Sequence, residues 1–273
     1  MASNELASAR RSVQRLRAAT GATVLQVAAR VARAQRRLRP SDLRRKGVGD
    51  FVTRIDVRTE AELRRALGRV WPQAGFLGEE SEPSDLGRDW VWVVDPIDGT
   101  SNFARGLPHF AVSVALLWQG QPMLACLHCA PENALYVAVQ GAGVVRNGRR
   151  LQMPAGRLDD GAIVGCQWHR GQQQLEFLAR LQSCGGRTRT FGSSVTQLVD
   201  VAVGRLDGNV QEQGRIWDIA AAGLVVEEAG GRFTDWAGND VFPFAELGPG
   251  HTPSVAASPR VHRGLLRLRA SRR

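Results

Sequence analysis

The sequence predicts an α/β protein, and three observations lead there. Several long segments carry apolar residues at helical spacing; other apolar runs have strand length and end at turn residues; and 43% hydrophobic with 23% charged residues suits a packed core rather than a disordered chain. At 273 residues the chain is long enough for one large domain or two fused ones. No internal repeat or low-complexity linker separates its parts. It is read as one compact unit with two intimately packed halves, 1–150 and 151–273, across a soft boundary.

The elements follow in order. Val13, Leu16, Val24, Val27 and Val31 are spaced for a first helix ahead of Pro40. Pro40 to Gly49 reads as a polar turn region. A second helix starts near Thr53 and runs through Leu63 and Leu67 to Trp71-Pro72, with Asp56 in its first turn. Trp90 to Val94 is a strand that ends at Asp95-Pro96. From 110 to 151, β-rich runs alternate with turn signals such as Gly120-Gln121-Pro122 and Asn147-Gly148, as in an antiparallel meander. Beyond it, Ile163 to Cys166 reads as a strand, Gln173 to Gln182 and Ser193 to Val203 as helices, and Trp217 to Gly230 as the last strong helix. Gly230-Gly231 stops that helix before a final strand at Arg232 to Thr234.

Charge is unevenly spread. The net charge is +10, and residues 1–72 hold 17 Arg/Lys against 6 Asp/Glu, while Arg260 to Arg273 adds six arginines and no acid. Clustered arginine is the footprint of phosphate-backbone binding. Here no RNA- or DNA-binding signature accompanies it, and every basic residue but Lys46 is arginine, a bias that points to codon composition. Nucleic acid is therefore not the expected partner. No apolar run reaches the roughly 18 to 20 residues of a bilayer span, the amino terminus lacks a secretory apolar core, and four cysteines make a poor disulfide framework. The expectation is a cytoplasmic protein without a membrane partner.

Several chemistries lose their support by spacing alone. There is no G-x-S-x-G elbow, no G-x-x-x-x-G-K-[ST] loop and no H-E-x-x-H helix. Cys126-Leu127-His128-Cys129 lacks the second ligand pair that zinc requires, and its thiols read as buried and free.

Residues 76–100 invert the charge, with seven acids against Arg88 alone. Carboxylates fall at the ends of expected elements: Glu79-Glu80, Asp95-Pro96-Ile97-Asp98-Gly99-Thr100 and Trp217-Asp218. Each fragment alone reads blandly, as a solvated face, a turn or a helix cap; their joint occurrence favours a site. Clustered carboxylates raise one another's pKa unless a cation neutralises them. Oxygen donors without histidine or thiolate select Mg²⁺ or Mn²⁺ over zinc. The proline forces a turn after the strand, so that Asp95, Asp98 and the Ile97 carbonyl can converge. A helix opening at Gly99-Thr100 would turn its free amides toward a phosphate.

At these residues the chain resembles the inositol monophosphatase family over nearly its whole length. Trp92 to Arg105, W-V-V-D-P-I-D-G-T-S-N-F-A-R, is similar to the family's first signature, and Trp217 to Gly231, W-D-I-A-A-A-G-L-V-V-E-E-A-G-G, to its second. Gly49 to Asp56 and Gly106 to Phe110 fit as well. The resemblance implies a layered α-β-α-β-α sandwich of the inositol monophosphatase / fructose-1,6-bisphosphatase type, in which 1–150 holds the metal-binding motifs and 151–273 completes the site. It implies a Mg²⁺-dependent phosphomonoesterase, with two or three ions, Mn²⁺ as a possible substitute, inhibition by lithium, and a homodimer.

Residue by residue, the resemblance implies that Glu79, Asp95 and the Ile97 carbonyl hold a first ion and Asp95, Asp98 and Asp218 a second. Asp56 and Thr100 match the pair that activates water, with Glu79 also counted as catalytic. Gly99 and Thr100 would bind phosphate, and Gly192, Ser193 and Ser194 match a substrate-side loop, with Asp218 also facing substrate. Relatives often carry an acid seven residues before the second-signature aspartate; here that position is Gln211, with Glu212 next to it. Inositol 1-phosphate is the default substrate. Histidinol phosphate, fructose 1,6-bisphosphate and 3'(2'),5'-bisphosphate nucleotides are alternatives, and the rival from another class is a non-catalytic module binding nucleic acid or protein through its arginine-rich ends.

Overall fold

The computed structural model describes residues 3–39, 42–47, 50–159, 161–167 and 172–270. The chain opens with α1 (Ser3–Gln35), which buries Val13, Val24, Val27 and Val31 and leaves Arg11, Arg15 and Arg17 exposed, as its spacing predicts. The expected turn region is corrected. Leu43–Gly47 is a strand, β1, paired antiparallel with β2 (Asp50–Thr53). Its sequence, Leu-Arg-Arg-Lys-Gly, carries no apolar alternation, so the pairing with β2 is not legible in it. Pro40 and Gly49, the ends of that region, lie outside the described residues.

Thr53 caps α2 (Arg54–Val70), accepting the amides of Ile55 and Asp56 on its hydroxyl, while Asp56 closes a capping box onto the Thr53 N–H. Next come β3 (Gly75–Gly78), β4 (Trp90–Asp98), the short helix α3 (Thr100–Ala104) and the meander β5 (Ala111–Trp118), β6 (Gln121–Cys129), β7 (Ala134–Val139), β8 (Gly143–Arg146) and β9 (Arg149–Leu151). These seven strands form one sheet in sequence order, with only β3 and β4 parallel. The chain continues through β10 (Ile163–Cys166), α4 (Gln172–Ser183), β11 (Arg187–Arg189), α5 (Ser194–Ala202), β12 (Gly208–Arg215), α6 (Ile216–Glu228) and β13 (Arg232–Thr234). That strand is not the last: β14 (His251–Ala257) and α7 (Pro259–Ala270) follow it. The second sheet runs β11-β10-β12-β14-β13.

Burial explains the layering. On β4, Trp92 and Val94 pack under Leu63 and Leu67 of α2 and the apolar stripe of α1, while Val91 and Val93 face α5 and α6. A strand covered on both faces is apolar throughout, hence Trp-Val-Trp-Val-Val. Helix α6 is apolar on all sides because it lies between the two sheets, and a Cβ on Gly223 would stand 2.7 Å from Phe242 and 2.8 Å from Phe233. On the far side of the second sheet, Phe177, Leu178 and Leu181 of α4 and Val261 and Leu265 of α7 cover Val164, Val210 and Val255. The order is α-β-α-β-α, with each buried valine or leucine contributing about 1.5–3 kcal/mol. No described helix is long and apolar enough to cross a membrane.

Candidate active site

The site grows from an irregularity in β4. Asp95 pairs with Ser113 and Asp98 with Ala111, so three residues of β4 span the distance that two cover on β5. In a regular strand, residues 95 and 98 would point to opposite faces; the extra residue turns both carboxylates to one side. Proline has no N–H to lose from the ladder, which suits Pro96 to the bulge. The Ile97 amide then donates to Asp95 Oδ1 at 2.9 Å. Gly99 follows with φ +85°, where a Cβ would stand 2.7 Å from the His109 carbonyl oxygen, so glycine alone fits.

Asp218 arrives from the other half of the chain. It is the third residue of α6, and its Oδ2 accepts the Arg215 amide at 3.0 Å, closing the first turn. One oxygen from each of Asp95, Asp98 and Asp218 lies within 4.8 Å of the others. The three line a cleft of about 190 Å³ together with Glu79, Ile97, Gly99, Thr100, Ser101 and Gly192.

Electrostatics mark this cleft as short of positive charge. Burial, then the charges of Glu79, Asp98, Asp218 and Asp56, push the Asp95 carboxyl well above the usual range. Asp98 is pushed up to about 6 by burial, although the Ser193 hydroxyl and the Val195 and Ser194 amides donate to it. Asp218 is pushed up to about 7 by burial and the Asp98 charge. An all-oxygen set whose protons are held this tightly fits a hard divalent cation.

Behind Thr100 lies Asp56, fully buried. Its Oδ2 accepts both the amide and the hydroxyl of Thr53, and its Oδ1 is 3.0 Å from Thr100 Oγ1. Thr100 Oγ1 is also 2.9 Å from the Ile97 carbonyl oxygen. The one hydroxyl proton can be donated to only one of these two acceptors at a time, the Asp56 carboxylate or the Ile97 carbonyl.

The residues expected on the substrate side divide. Gly192 lines the cleft. Ser193 and Ser194 are buried: Ser193 donates to Asp98 and caps α5 by accepting the Thr196 amide, and Ser194 Oγ accepts from Gln167. Gln211 and Glu212 do not line the cleft. Gln211 is fully buried, its Nε2 donating to Ser254 Oγ at 2.9 Å, and Glu212 Oε1 accepts from Arg269 Nη1 at 2.6 Å.

Other polar groups at the site carry no assignment from sequence. Asn102 Nδ2 donates to the carbonyls of His109 at 2.7 Å and Phe191 at 2.6 Å, tying α3 to the loop that carries Gly192. Its place inside the first signature was the available signal. Glu60 of α2 is buried beneath the Glu79-Glu80 turn, and its Oε2 accepts the Glu80 amide at 2.8 Å. Its spacing of four from Asp56 was the signal, since such a pair shares one helix face.

Comparison with known proteins agrees with this geometry. The model of the inositol monophosphatase family matches residues 10–272. An inositol-1-monophosphatase of Rhizobium meliloti (strain 1021) is 39% identical over 200 residues, covering 71% of this chain and 75% of that protein. The Nus factor SuhB of Escherichia coli (strain K12) is 36% identical over 228 residues, covering 81% of this chain and 83% of its own. Among solved structures, the extragenic suppressor protein suhB from Bartonella henselae superposes with a TM-score of 0.81 at 30% identity, over 95% of this chain and 98% of that one. The acidic cleft, the family match and the likeness to the Rhizobium enzyme agree on a metal-dependent phosphomonoesterase, and the chain belongs to the inositol monophosphatase family.

Proposed function

We propose that the protein hydrolyses a small phosphorylated alcohol with Mg²⁺ as its metal, inositol 1-phosphate being the first candidate. The observation that supports this most is the meeting of Asp95, Asp98 and Asp218 in one cleft that Glu79 and Thr100 also line. In this reading Glu79, Asp95 and the Ile97 carbonyl hold one Mg²⁺, and Asp95, Asp98 and Asp218 a second. Bound there, Mg²⁺ supplies Lewis acidity toward phosphoryl oxygens and water.

The chain's own residues do the rest. Asp56, fixed by Thr53, orients the Thr100 hydroxyl and receives the proton that passes through it from an attacking water. Gly99 and Thr100 line the cleft, and in this reading their amides donate to phosphate oxygens. Attack in line expels the alcohol without a phosphoenzyme. The same reading includes two packed halves that close one site, a homodimer, inhibition by lithium and a place in the cytoplasm.

Substrate choice is the open chemistry of this reading. The acid that relatives often carry seven residues before the aspartate is replaced by Gln211, and Gln211 and Glu212 are engaged with Ser254 and Arg269. The test is phosphate release from a panel of inositol 1-phosphate, histidinol phosphate, fructose 1,6-bisphosphate and 3'(2'),5'-bisphosphate nucleotides with Mg²⁺. The expected outcome is Mg²⁺-dependent turnover with inositol 1-phosphate preferred; no Mg²⁺-dependent release from any of them overturns the proposal. A second reading, binding of nucleic acid or protein through the arginine-rich surface, draws on the relatives named Nus factor. Salt-dependent RNA binding without phosphate release would favour it.

A further inference from the structure

Helix α2 brings two buried carboxyl groups to the site from one face. Asp56 and Glu60 are four residues apart, one turn of helix, and both are almost inaccessible to solvent. Asp56 reaches Thr100. Glu60 reaches the other wall, where its Oε2 accepts the Glu80 amide at 2.8 Å. The preceding residue's amide, that of Glu79, donates to the Val94 carbonyl oxygen at 3.3 Å. The peptide on either side of Glu79 is thus tied down, toward β4 on one side and toward α2 on the other.

Gly78 completes the arrangement. A Cβ there would collide with the Glu60 carboxyl group, so the glycine leaves the space that Glu60 fills. A polar group is rarely buried unless it is hydrogen-bonded, and the Glu80 amide is the partner given to this one. A ligand carboxylate placed an ångström away from its position loses much of its affinity for a hard cation.

We propose that Glu60 is a positioning residue, which holds the Glu79-Glu80 turn so that the Glu79 carboxylate meets Asp95 at the metal. The inference rests on the assignment of Glu79 as a ligand. Because Asp56 sits on the same helix, α2 sets the distance between the Asp56–Thr100 pair and the metal ligand. This is a metal-affinity role, separable from proton transfer.

Mn²⁺ binding to the whole protein, followed by electron paramagnetic resonance without substrate, tests it alongside the Mg²⁺ concentration that gives half-maximal turnover. Glu60→Ala is expected to weaken Mn²⁺ binding by about tenfold or more and to raise the half-activating Mg²⁺ concentration in step, as loss of a ligand's supporting hydrogen bond does. Glu60→Gln keeps an oxygen acceptor and restores both to within about threefold. Asp56→Asn is expected to lower kcat and leave Mn²⁺ binding near that of the parent. If the alanine variant does not fold, Glu60→Asp serves, because its carboxyl group stops one methylene short of Glu80. A folded Ala or Asp variant that binds Mn²⁺ as the parent does overturns the inference while leaving the proposed reaction intact. A parent protein that binds no Mn²⁺ overturns both.

Discussion

Two strands of this protein are broken in the same way and put to different uses. In β4 the bulge between Asp95 and Asp98 sets three residues against two on β5; in β12 the bulge between Gln211 and Gly214 sets three against two on β14. Each leads into a helix, α3 or α6. At β4 the bulge gathers unneutralised carboxylates into an open cleft. At β12 it turns Gln211 inward to Ser254 and gives Glu212 to Arg269, which also lies over the Trp236 ring at 4.5 Å. The bulge aims side chains; the neighbours they meet decide between a ligand and a lock.

The comparison predicts effects of very different size. Asp95→Asn or Asp218→Asn should lower Mg²⁺-dependent phosphate release by about a thousandfold or more while circular dichroism shows a folded chain. Retained activity in both would end the assignment of the β4 bulge as a metal site. Thr100→Val removes the hydroxyl that bridges to Asp56 and should cost about a hundredfold in kcat, with Thr100→Ser recovering most of it. Equal kcat for Thr100→Val and the parent would take proton transfer away from this pair.

The pH dependence separates the bulges further. Asp98 and Asp218 have folded pKa values of about 6 and about 7, above the ordinary 3.8, so each favours the fold when protonated. Their contribution is full below pH 3.8 and is lost as pH rises through about 6 to 7. In the absence of divalent ions, Asp98→Asn should therefore lessen the fall in Tm between pH 5 and 8, and Mg²⁺ should raise Tm most at the upper end of that range. A fall in Tm of the same slope in Asp98→Asn contradicts the charge argument. At β12, Arg269→Ala should cost about 1–2 kcal/mol in urea unfolding through the lost Glu212 contact, with kcat changed less than about threefold. A large loss of kcat there would make the second bulge part of the catalytic site.

How far the sequence revealed this molecule depends on how local each feature is. Asp95, Asp98, Gly99 and Thr100 lie within six residues, and the proline and glycine among them fix the backbone without help from distant parts, so this half of the cleft was legible. The long helices and the meander were legible for the same reason, since their periodicity lies in adjacent residues. Strand β12, Gly-Asn-Val-Gln-Glu-Gln-Gly-Arg, was not, because Asn209 and Gln211 are buried against Gln197 and Ser254, partners outside the strand that its own sequence does not announce. Helix α7 was hidden by its arginines, though Val261 and Leu265 carried the spacing of a buried face. Glu60 is not legible in the sequence, because a glutamate in a basic helix has the pattern of a solvent-facing residue and its partner, the Glu80 amide, lies twenty residues on.

By itself the sequence determined which chemistry was available: oxygen donors without thiolate or imidazole, a proline and glycine that bend one strand, and an aspartate set in the first turn of a helix. Only the tertiary structure decided which carboxylates share a cleft, that Ser193 donates to Asp98, that Glu60 accepts the Glu80 amide, and that Gln211 and Glu212 are engaged elsewhere. The reason is physical. Residue type and local backbone set what a side chain can donate, accept or ligate, but its pKa and its partners depend on burial and on groups brought from distant parts of the chain.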